Sequence, residues 1–311
     1  MSSIPEEIQE NILLRLPVKS NARFKAVCKN WNTLICSPKF VNDHLIRTRK
    51  NPRIMIRDAN CWEGKDIFYI IDYDSISSAS SSSCKCEAVV RLNYPVSEKN
   101  GVINRYYNIL GSCDGLLCLD APRSHTYTPI LWNPSTREYN EIIPPPDNLE
   151  WPSYGFGYDN KIDDYKLVCI ASIEDGADEV NAAYAYTLKS GSWRKVVETI
   201  PCADFENPAG LLLNGVLHWQ LATVTGKISK SIVAFDISNE KFTNLPFPQE
   251  IILRPAHSSC HLGVLGASLC IICGVPNVQV DVWVMQNYGV KESWTKLFTT
   301  TQEKILHIQN R

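Results

Sequence analysis

The stretch Trp132-Asn-Pro-Ser-Thr-Arg-Glu-Tyr139 places two aromatic residues seven positions apart around a polar turn. The same arrangement returns in Tyr186-Thr-Leu-Lys-Ser-Gly-Ser-Trp193 and in Phe235-Asp-Ile-Ser-Asn-Glu-Lys-Phe242, and a looser copy runs from Val284 to Trp294. The copies begin 54, 49 and 49 residues apart. A repeat of about 50 residues is typical of a Kelch-like β-propeller in which each copy forms one four-stranded blade.

Small-residue turns precede three of these copies and lead into hydrophobic strands. They contain Asp114-Gly115, Asn214-Gly215 and Gly266-Ala267, which suit the positive φ of a tight hairpin corner. Short β-type runs fill the body, at 54–57, 67–73, 87–92, 116–119, 129–133, 165–172, 182–188, 211–222, 231–237, 262–274 and 280–285. We therefore expect an irregular β-propeller whose recurring aromatics pack between adjacent blades.

The first 45 residues follow a helical period instead. In residues 4–17, a proline and two glutamates mark a helix start, and apolar residues recur every four positions until a closing proline. A second helix is predicted from Ser20 as N-cap, with a break near Cys28, and a third begins at Ser37-Pro38. A head of this size is at the lower limit for an independent core, so we expect a partner to cover its apolar stripes.

A basic joint that contains a proline separates the two parts of the chain. It carries Arg47, Arg49, Lys50, Pro52 and Arg53. The sequence thus predicts an all-α head at residues 1–45, a linker at 46–53 and an all-β, propeller-like body at 54–311. The predicted fold class is α+β and multi-domain.

Charge and hydropathy exclude several functional classes. The chain has 31 Lys and Arg against 33 Asp and Glu, which leaves no excess of positive charge for binding nucleic-acid phosphates. The longest nearly apolar run, residues 262–275, is too short for a membrane-spanning helix. Glu6, Glu7 and Glu10 lie where a signal peptide needs a basic start and an apolar stretch. We expect a cytoplasmic or nuclear protein with no nucleic-acid and no membrane partner.

The enzymatic and metal-binding signals are weak. The 12 cysteines are scattered through apolar segments, which favours reduced and mostly buried thiols. Cys270 and Cys273 resemble half of a redox or zinc site, but residues three apart on a strand point to opposite faces, so core thiols are favoured. Cys260 with His257 and His261 lacks a fourth metal ligand. We expect no catalytic residue, no metal and no cofactor.

The head resembles the F-box, the helical segment by which substrate receptors dock onto the Skp-type adaptor of cullin-based SCF ubiquitin ligases. The matching residues are Ile4-Pro5, Ile12-Leu-Leu-Arg-Leu-Pro17, Lys19-Ser20, Arg23-Phe-Lys25, Val27-Cys-Lys29, Trp31, Leu34-Ile35 and Ser37-Pro-Lys-Phe40. The body is similar to the F-box-associated domain of the large plant F-box families. Its matching segments are Gly111-Ser-Cys-Asp-Gly-Leu-Leu-Cys118, Leu131-Trp-Asn-Pro-Ser-Thr136, Tyr154-Gly-Phe-Gly-Tyr158, Asp164-Tyr-Lys-Leu167, Gly215-Val-Leu-His-Trp219 and Ala234-Phe-Asp236.

The resemblance implies a substrate-recognition subunit of an SCF ubiquitin ligase, which binds the Skp-type adaptor, and through it a cullin, and captures a target protein for degradation. The expected adaptor contacts are Ile4, Pro5, Ile8, Ile12, Leu13, Leu16, Pro17, Cys28 and Trp31. Phe24 and Val27 are expected in the head's own core. Asn21-Ala22 stands where the family usually has Leu-Leu, which removes apolar area from the second helix.

Target recognition is expected in the loops between strands. The stiff Pro144-Pro-Pro146 segment is followed by Trp151 and Tyr154, which are candidate target-binding residues, and a loop that closes over the propeller's own edge is the alternative. The family's domain usually has further strands beyond the position of Arg311, so we expect a propeller that is open or short of a blade. The alternative functions are a propeller enzyme acting on glycans, with an incidental helical head, and an F-box protein that acts outside a ligase.

Overall fold

A computed structural model describes most of the chain. The described residues are 4–49, 53–60, 65–72, 90–92, 108–123, 126–145, 149–175, 178–200, 204–205, 207, 209–225, 227–252, 259–275 and 279–301. The chain divides into two compact units, of which the first contains residues 1–108 and 114–142 and the second contains residues 109–113 and 143–311. No helix in the described ranges is long and apolar enough to cross a membrane.

The head forms four short helices. They are α1 (Glu6–Leu14), α2 (Val18–Phe24), α3 (Lys29–Cys36) and α4 (Pro38–Thr48). Ser37 caps α4 as predicted, because its Oγ accepts a hydrogen bond from the Phe40 amide at 3.2 Å. The predicted break at Cys28 is confirmed, since this residue caps α3. The predicted N-cap at Ser20 is wrong: α2 begins earlier, directly after Pro17.

The body consists of β-sheets whose paired strands run antiparallel. The first sheet contains β1 (Arg53–Asn60), β2 (Lys65–Asp72) and β3 (Val90–Leu92), and the second contains β4 (Asn108–Cys113), β5 (Leu116–Arg123), β6 (Thr126–Trp132) and β7 (Tyr139–Glu141). The third sheet contains β8 (Glu150–Asp159), β9 (Asp164–Asp175), β10 (Asp178–Thr187) and β11 (Ser192–Ile200), and the fourth contains β12 (Asp204–Phe205), β13 (Leu211–Leu213), β14 (Val216–Thr225), β15 (Lys227–Asp236) and β16 (Lys241–Leu245). The fifth sheet contains β17 (Ser259–Leu265), β18 (Ser268–Val275), β19 (Gln279–Met285) and β20 (Trp294–Thr300). A short helix, α5 (Gln249–Ile252), and a 3₁₀ turn (Lys291–Ser293) lie between strands.

The three close copies of the sequence repeat each correspond to one hairpin, in the second, third and fourth sheets; in the looser copy Trp294 pairs with Met285 and not with Val284. Trp132 pairs with Tyr139, Tyr186 with Trp193, and Phe235 with Phe242, and the two members of each pair lie on adjacent antiparallel strands. The seven-residue spacing is therefore set by the length of the polar turn that joins the last two strands of a blade. The rings of Phe235 and Phe242 lie with their centroids 4.7 Å apart, so the pairs are side-chain contacts as well as register partners.

The predicted hairpin corners are confirmed. Asp114-Gly115 and Asn214-Gly215 all have positive φ, and Gly266 has a φ of 62°. Because the last two corners fall inside the predicted runs 211–222 and 262–274, each of those runs is a hairpin and not one strand. A strand is also present at β8, where the sequence analysis placed none.

The core of the second unit lies between neighbouring sheets. One cluster joins the third and fourth sheets and is centred on Leu217, Trp219 and Phe235, and a second joins the fourth and fifth sheets around Ile232, Ile271 and Trp283. In the first unit, the ring of Phe68 from the first sheet lies 6.0 Å from that of Trp132 in the second. Sheets stacked face to face through buried side chains are the packing that a propeller requires.

Candidate functional site

Large exposed aliphatic side chains lie along α1 and just before it. Ile4, Ile8 and Ile12 are 55%, 52% and 49% exposed. Ile8 and Ile12 are four apart in α1 and share one face of the helix, and Ile4 lies two residues before the helix begins. We call these three exposed side chains the stripe. A stripe of large aliphatic side chains left open in this way is suited to a hydrophobic groove on another protein. These are three of the predicted adaptor-contact residues.

Leu13 lies on the opposite face of α1 and is only 1% exposed. It packs with Ile35 and Phe40 in the centre of the head, and Leu16 is partly buried against the same cluster. A side chain this enclosed is unavailable to a partner in this conformation. Leu13 is therefore a core residue, which corrects its assignment as an adaptor contact. One helical position separates it from Ile12, and that step of about 100° decides which of the two faces solvent.

Trp31 is half-buried and tied to the first helix. Its indole Nε1 donates a hydrogen bond to Gln9 Oε1 at 2.6 Å, and Gln9 Nε2 donates to the Ile4 carbonyl, also at 2.6 Å. The ring also packs against Phe24, with centroids 5.4 Å apart. Trp31 thus connects the core of the head to the start of the exposed stripe, and only part of its ring remains open to a partner.

The remaining predicted contacts are exposed at the helix junctions. Pro5 precedes α1, Pro17 precedes α2, and Cys28 precedes α3, where its Sγ accepts a hydrogen bond from the Trp31 amide at 3.5 Å. Val27 is exposed as well, which corrects its assignment to the core. The breaks between helices thus display short apolar and sulfur-containing side chains beside the stripe on α1.

Asn21 occupies a buried position in the head. Its Nδ2 donates hydrogen bonds to the carbonyls of Leu13 at 3.0 Å and Leu16 at 3.5 Å, while its Oδ1 has no hydrogen-bond partner in the described part of the chain. His44 Nε2 lies 2.9 Å from the same Leu16 carbonyl. The Leu13 carbonyl also accepts a hydrogen bond from the Leu16 amide at 3.1 Å, so Asn21 is an additional donor to carbonyls at the end of the first helix. Sequence reasoning missed this role because the two helices meet only in the fold.

The head is also linked to the second sheet within the first unit. Arg49 donates to Asp114 Oδ1 through Nη2 at 2.6 Å and through Nε at 3.1 Å. Asp114 is the first residue of the β4–β5 hairpin corner, so one residue serves both the turn and the ion pair. The predicted boundaries at 45 and 53 stay predictions.

The candidate target-binding residues of the body are placed differently from the prediction. Tyr154 lies in β8 and is 1% exposed, so it is a core residue and not a surface anchor, which corrects that assignment. The side chain of Trp151 lies outside the described residues. Sequence reasoning missed β8 because its glycines give it a weak strand signal.

The cysteines of the fifth sheet also differ from the prediction. Cys260 of β17 and Cys273 of β18 are joined by a disulfide, so the assignment of these two as reduced thiols is wrong. The sequence predicted the turn at Gly266-Ala267, but the pairing that follows from it, in which positions 260 and 273 are direct cross-strand partners, was missed. Cys270 is a free, buried thiol as predicted, and burial raises its pKa. His257 lies outside the described residues, within which no group of three or more potential ligands could hold a metal.

A cavity of about 610 Å³ lies within the second unit. It is bordered by β4, by the segment 207–212 and by the start of β17, and polar side chains of Ser112, Gln220 and Lys230 line it beside Leu211 and Leu262. Cys260 also lies in its wall. The mixture of apolar and polar groups is typical of a site that admits small molecules.

Two protein-family models match the chain. The F-box domain model matches residues 1–43, and the model of the F-box associated beta propeller domain matches residues 65–310. The chain belongs to the F-box proteins that carry an F-box associated β-propeller domain. The fold class predicted from the sequence, a helical head before a propeller domain, is thereby confirmed.

Relatives of this F-box protein occur in Arabidopsis thaliana. The chain is 30% identical to the F-box protein CPR1 over 98% of its own length and 74% of that protein, and 29% identical to an F-box/kelch-repeat protein over 96% and 79%. It is therefore a plant F-box protein. Among solved structures, TolB from Acinetobacter baumannii aligns with 80% of this chain and 52% of that chain, at 11% identity and a TM-score of 0.46, which is too distant to support a conclusion.

The glycines that mark the F-box associated domain make room for tryptophan. A Cβ on Gly155 would lie 2.6 Å from Trp219 Cζ2, and a Cβ on Gly210 would lie 2.5 Å from Trp219 Cε2. The indole of this strand β14 residue is thus held between two glycines. Since a side chain at either position would overlap it, the Tyr154-Gly-Phe-Gly-Tyr158 segment serves packing between the third and fourth sheets.

A buried ion network joins the same two sheets in this F-box protein. Lys166 of β9 is 2% exposed, and its Nζ donates to Asp159 Oδ2, the Ile237 carbonyl and Glu240 Oε1, each at 2.7 Å. Burial alone would raise the pKa of Asp159, but hydrogen bonds from Lys166, Lys161 and Ser238 lower it below its usual value. The three donors of the ammonium group are all used, so the network holds the sheets together and leaves no free base at this point.

Proposed function

We propose that this protein is the substrate-recognition subunit of an SCF-type ubiquitin ligase. In this proposal the head binds a Skp-type adaptor, and through it a cullin, and the propeller captures a target protein that is then ubiquitinated and degraded. The observation that carries the proposal is the solvent-facing stripe of Ile4, Ile8 and Ile12 on a segment that matches the F-box domain. The similarity to the F-box protein CPR1 over almost the whole chain supports it further.

The head would bind as an amphipathic helix laid against a groove. Three large aliphatic side chains half in solvent cost free energy in the unbound chain, and burial of the exposed half against a partner recovers about 1 kcal/mol for each residue. Pro5 and Pro17, exposed at the two ends of the first helix, would extend the contact. Leu13 would support the surface from inside the head.

The chain itself would not be catalytic. Its contribution is to raise the effective concentration of the target near a ubiquitin-charged enzyme held elsewhere in the complex and to orient it. The proposal therefore needs no nucleophile, metal or cofactor in this chain. We place its action in the cytoplasm, the nucleus or both, as expected from the sequence.

The decisive experiment changes the stripe without touching the core. In the double variant Ile8→Glu and Ile12→Glu, two charges would have to enter the adaptor groove, and we expect loss of co-purification with a Skp-type adaptor and a cullin. Ile143→Glu is the matched control, because Ile143 is an equally large and 82% exposed side chain in the body. If the double variant still co-purifies at the level of the control, the proposed docking surface is wrong.

A further inference from the structure

The fifth sheet contains a pair of cysteines at directly opposed positions of its first two strands. Cys260 of β17 and Cys273 of β18 are register partners, their Cα atoms are 4.2 Å apart, and they form a disulfide. We propose that Cys260 and Cys273 are a reversible redox-modification site, which exchanges between dithiol and disulfide by reaction with glutathione and its disulfide.

The pair lies inside the core that joins the fourth and fifth sheets. Both residues belong to the cluster that contains Ile232, Ile271 and Trp283, and both are buried. β17 is the edge strand of its sheet and pairs with β18 alone. The sulfur–sulfur bond therefore adds a second covalent tie between this edge strand and its neighbour, at the end of the hairpin opposite to the Gly266-Ala267 turn. Its formation or loss changes how firmly β17 is held.

One of the two residues borders a cavity. Cys260 is 6% exposed and lies in the wall of the 610 Å³ cavity of the second unit, whereas Cys273 is 0% exposed and does not border it. A tripeptide thiol that enters the cavity therefore meets Cys260 first. Buried structural disulfides are inert mainly because reductants cannot reach either sulfur, so exchange is expected to begin at Cys260.

The other neighbour of Cys273 in the sheet is a buried carboxylate. Asp281 of β19 is the register partner of Cys273 on the side away from Cys260, and it is fully buried. Its carboxylate accepts a hydrogen bond from Thr299 Oγ1, and Lys296 Nζ lies 3.6 Å from its Oδ2. Cys273 thus lies between two strands of the sheet, whereas Cys260 lies on the edge strand that borders the cavity.

The exchange needs only glutathione species. In oxidation, the Cys260 thiolate attacks one sulfur of glutathione disulfide and releases the first glutathione as a thiolate, which takes up a proton. The Cys273 thiol then loses its proton, attacks the Cys260 sulfur of the mixed disulfide and releases the second glutathione. The protein loses two electrons and two protons, and one glutathione disulfide becomes two glutathione molecules. Reduction follows the same steps in reverse.

A redox titration of the full chain tests the proposal. The folded protein is equilibrated in buffers that range from reduced glutathione alone to glutathione disulfide alone, quenched with acid, and mapped by mass spectrometry for the Cys260–Cys273 linkage. We expect the linkage to form and disappear reversibly along the series. We also expect the melting temperature to be about 5–10 °C lower at the reducing end, because a bridge that closes a loop of this length stabilises by about 3 kcal/mol.

Three variants make the assignment specific. Cys260→Ser and Cys273→Ser are each expected to abolish the redox dependence of the melting temperature. Cys270→Ser is the matched control, because Cys270 is a buried free thiol of the same strand whose side chain packs in a different cluster, and it is expected to keep that dependence. Should a serine variant fail to fold, the titration of the unchanged chain still decides. A linkage absent even in glutathione disulfide, or one that persists in reduced glutathione while the chain stays folded, overturns the proposal.

Discussion

The head and the second unit use apolar residues in opposite ways. The core of the head contains Leu13, Ile35 and Phe40, while Ile8 and Ile12 of its first helix, and Ile4 before it, are exposed. The sheets of the second unit enclose much larger clusters, and glycines at their contacts make room for a tryptophan. The second unit thus buries its apolar residues in its own core, whereas the head leaves a larger share of its apolar side chains exposed.

The largest expected effect comes from breaking the buried ion network of the second unit. Lys166→Met leaves the Asp159 carboxylate without its cation in a site closed to water, and we expect a loss of about 3–5 kcal/mol in unfolding free energy. Lys189→Met is the matched control: Lys189 also pairs with an aspartate, Asp163, but both side chains are exposed, so no measurable change is expected. Chemical denaturation followed by tryptophan fluorescence measures both. Equal losses in the two variants would contradict the proposed contribution of burial.

The second effect tests whether the second unit depends on close packing. Gly210→Ala places a Cβ 2.5 Å from Trp219 Cε2, and we expect destabilisation of about 1–3 kcal/mol, because the buried ring must shift to relieve the overlap. Ser112→Ala, an exposed residue of β4, serves as control and is expected to be neutral. Thermal melting separates the two. A neutral Gly210→Ala would mean that Trp219 is held more loosely than the structure indicates.

A smaller effect is expected in the head. Asn21→Ala removes the hydrogen bonds to the Leu13 and Leu16 carbonyls, and we expect faster amide hydrogen exchange in α1 and a local loss of about 1 kcal/mol. Adaptor co-purification should be retained, because the stripe on α1 is unchanged. If Asn21→Ala abolishes adaptor binding while exchange in α1 stays slow, Asn21 acts at the interface and not within the head.

The last expected effect is a change of stability with pH, which has opposite signs at two buried titratable groups. Burial lowers the pKa of His218, so the unfolded chain takes up a proton first as the pH falls below about 6.5, and the second unit loses stability. Burial raises the pKa of Asp120 in the first unit to about 7, so the folded state takes up a proton first and that unit gains stability over the same change. Hydrogen exchange at pH 7 and pH 5.5, corrected for its intrinsic rate, should move in opposite directions in β5 and β14. His218→Gln and Asp120→Asn should each remove the corresponding change, and a change that survives its variant contradicts the assignment.

Local patterns in the sequence predicted the helical head, the strand-rich body and the hairpin corners, although they missed β8. The change of apolar period from about four to two separates helices from strands, and small residues with positive φ mark the hairpin corners. The spacing of aromatic pairs predicts the blade repeat, because a pair across a short turn depends only on the residues between its members. These features involve neighbours in the chain, so they can be read without knowing the fold.

Only the tertiary structure decided which of these residues are available to a partner. Ile12 and Leu13 are adjacent and equally apolar, yet one faces solvent and the other lies in the core. Tyr154 looks like a surface aromatic after a proline-rich segment, but Gly155 beside it makes room for Trp219 of a distant strand, and residues 152–157 are buried. Asn21 beside two helix carbonyls and Cys260 opposite Cys273 are likewise set by contacts between distant segments. Burial depends on which surfaces come into contact in the folded chain, and a local sequence pattern does not contain these contacts between distant segments.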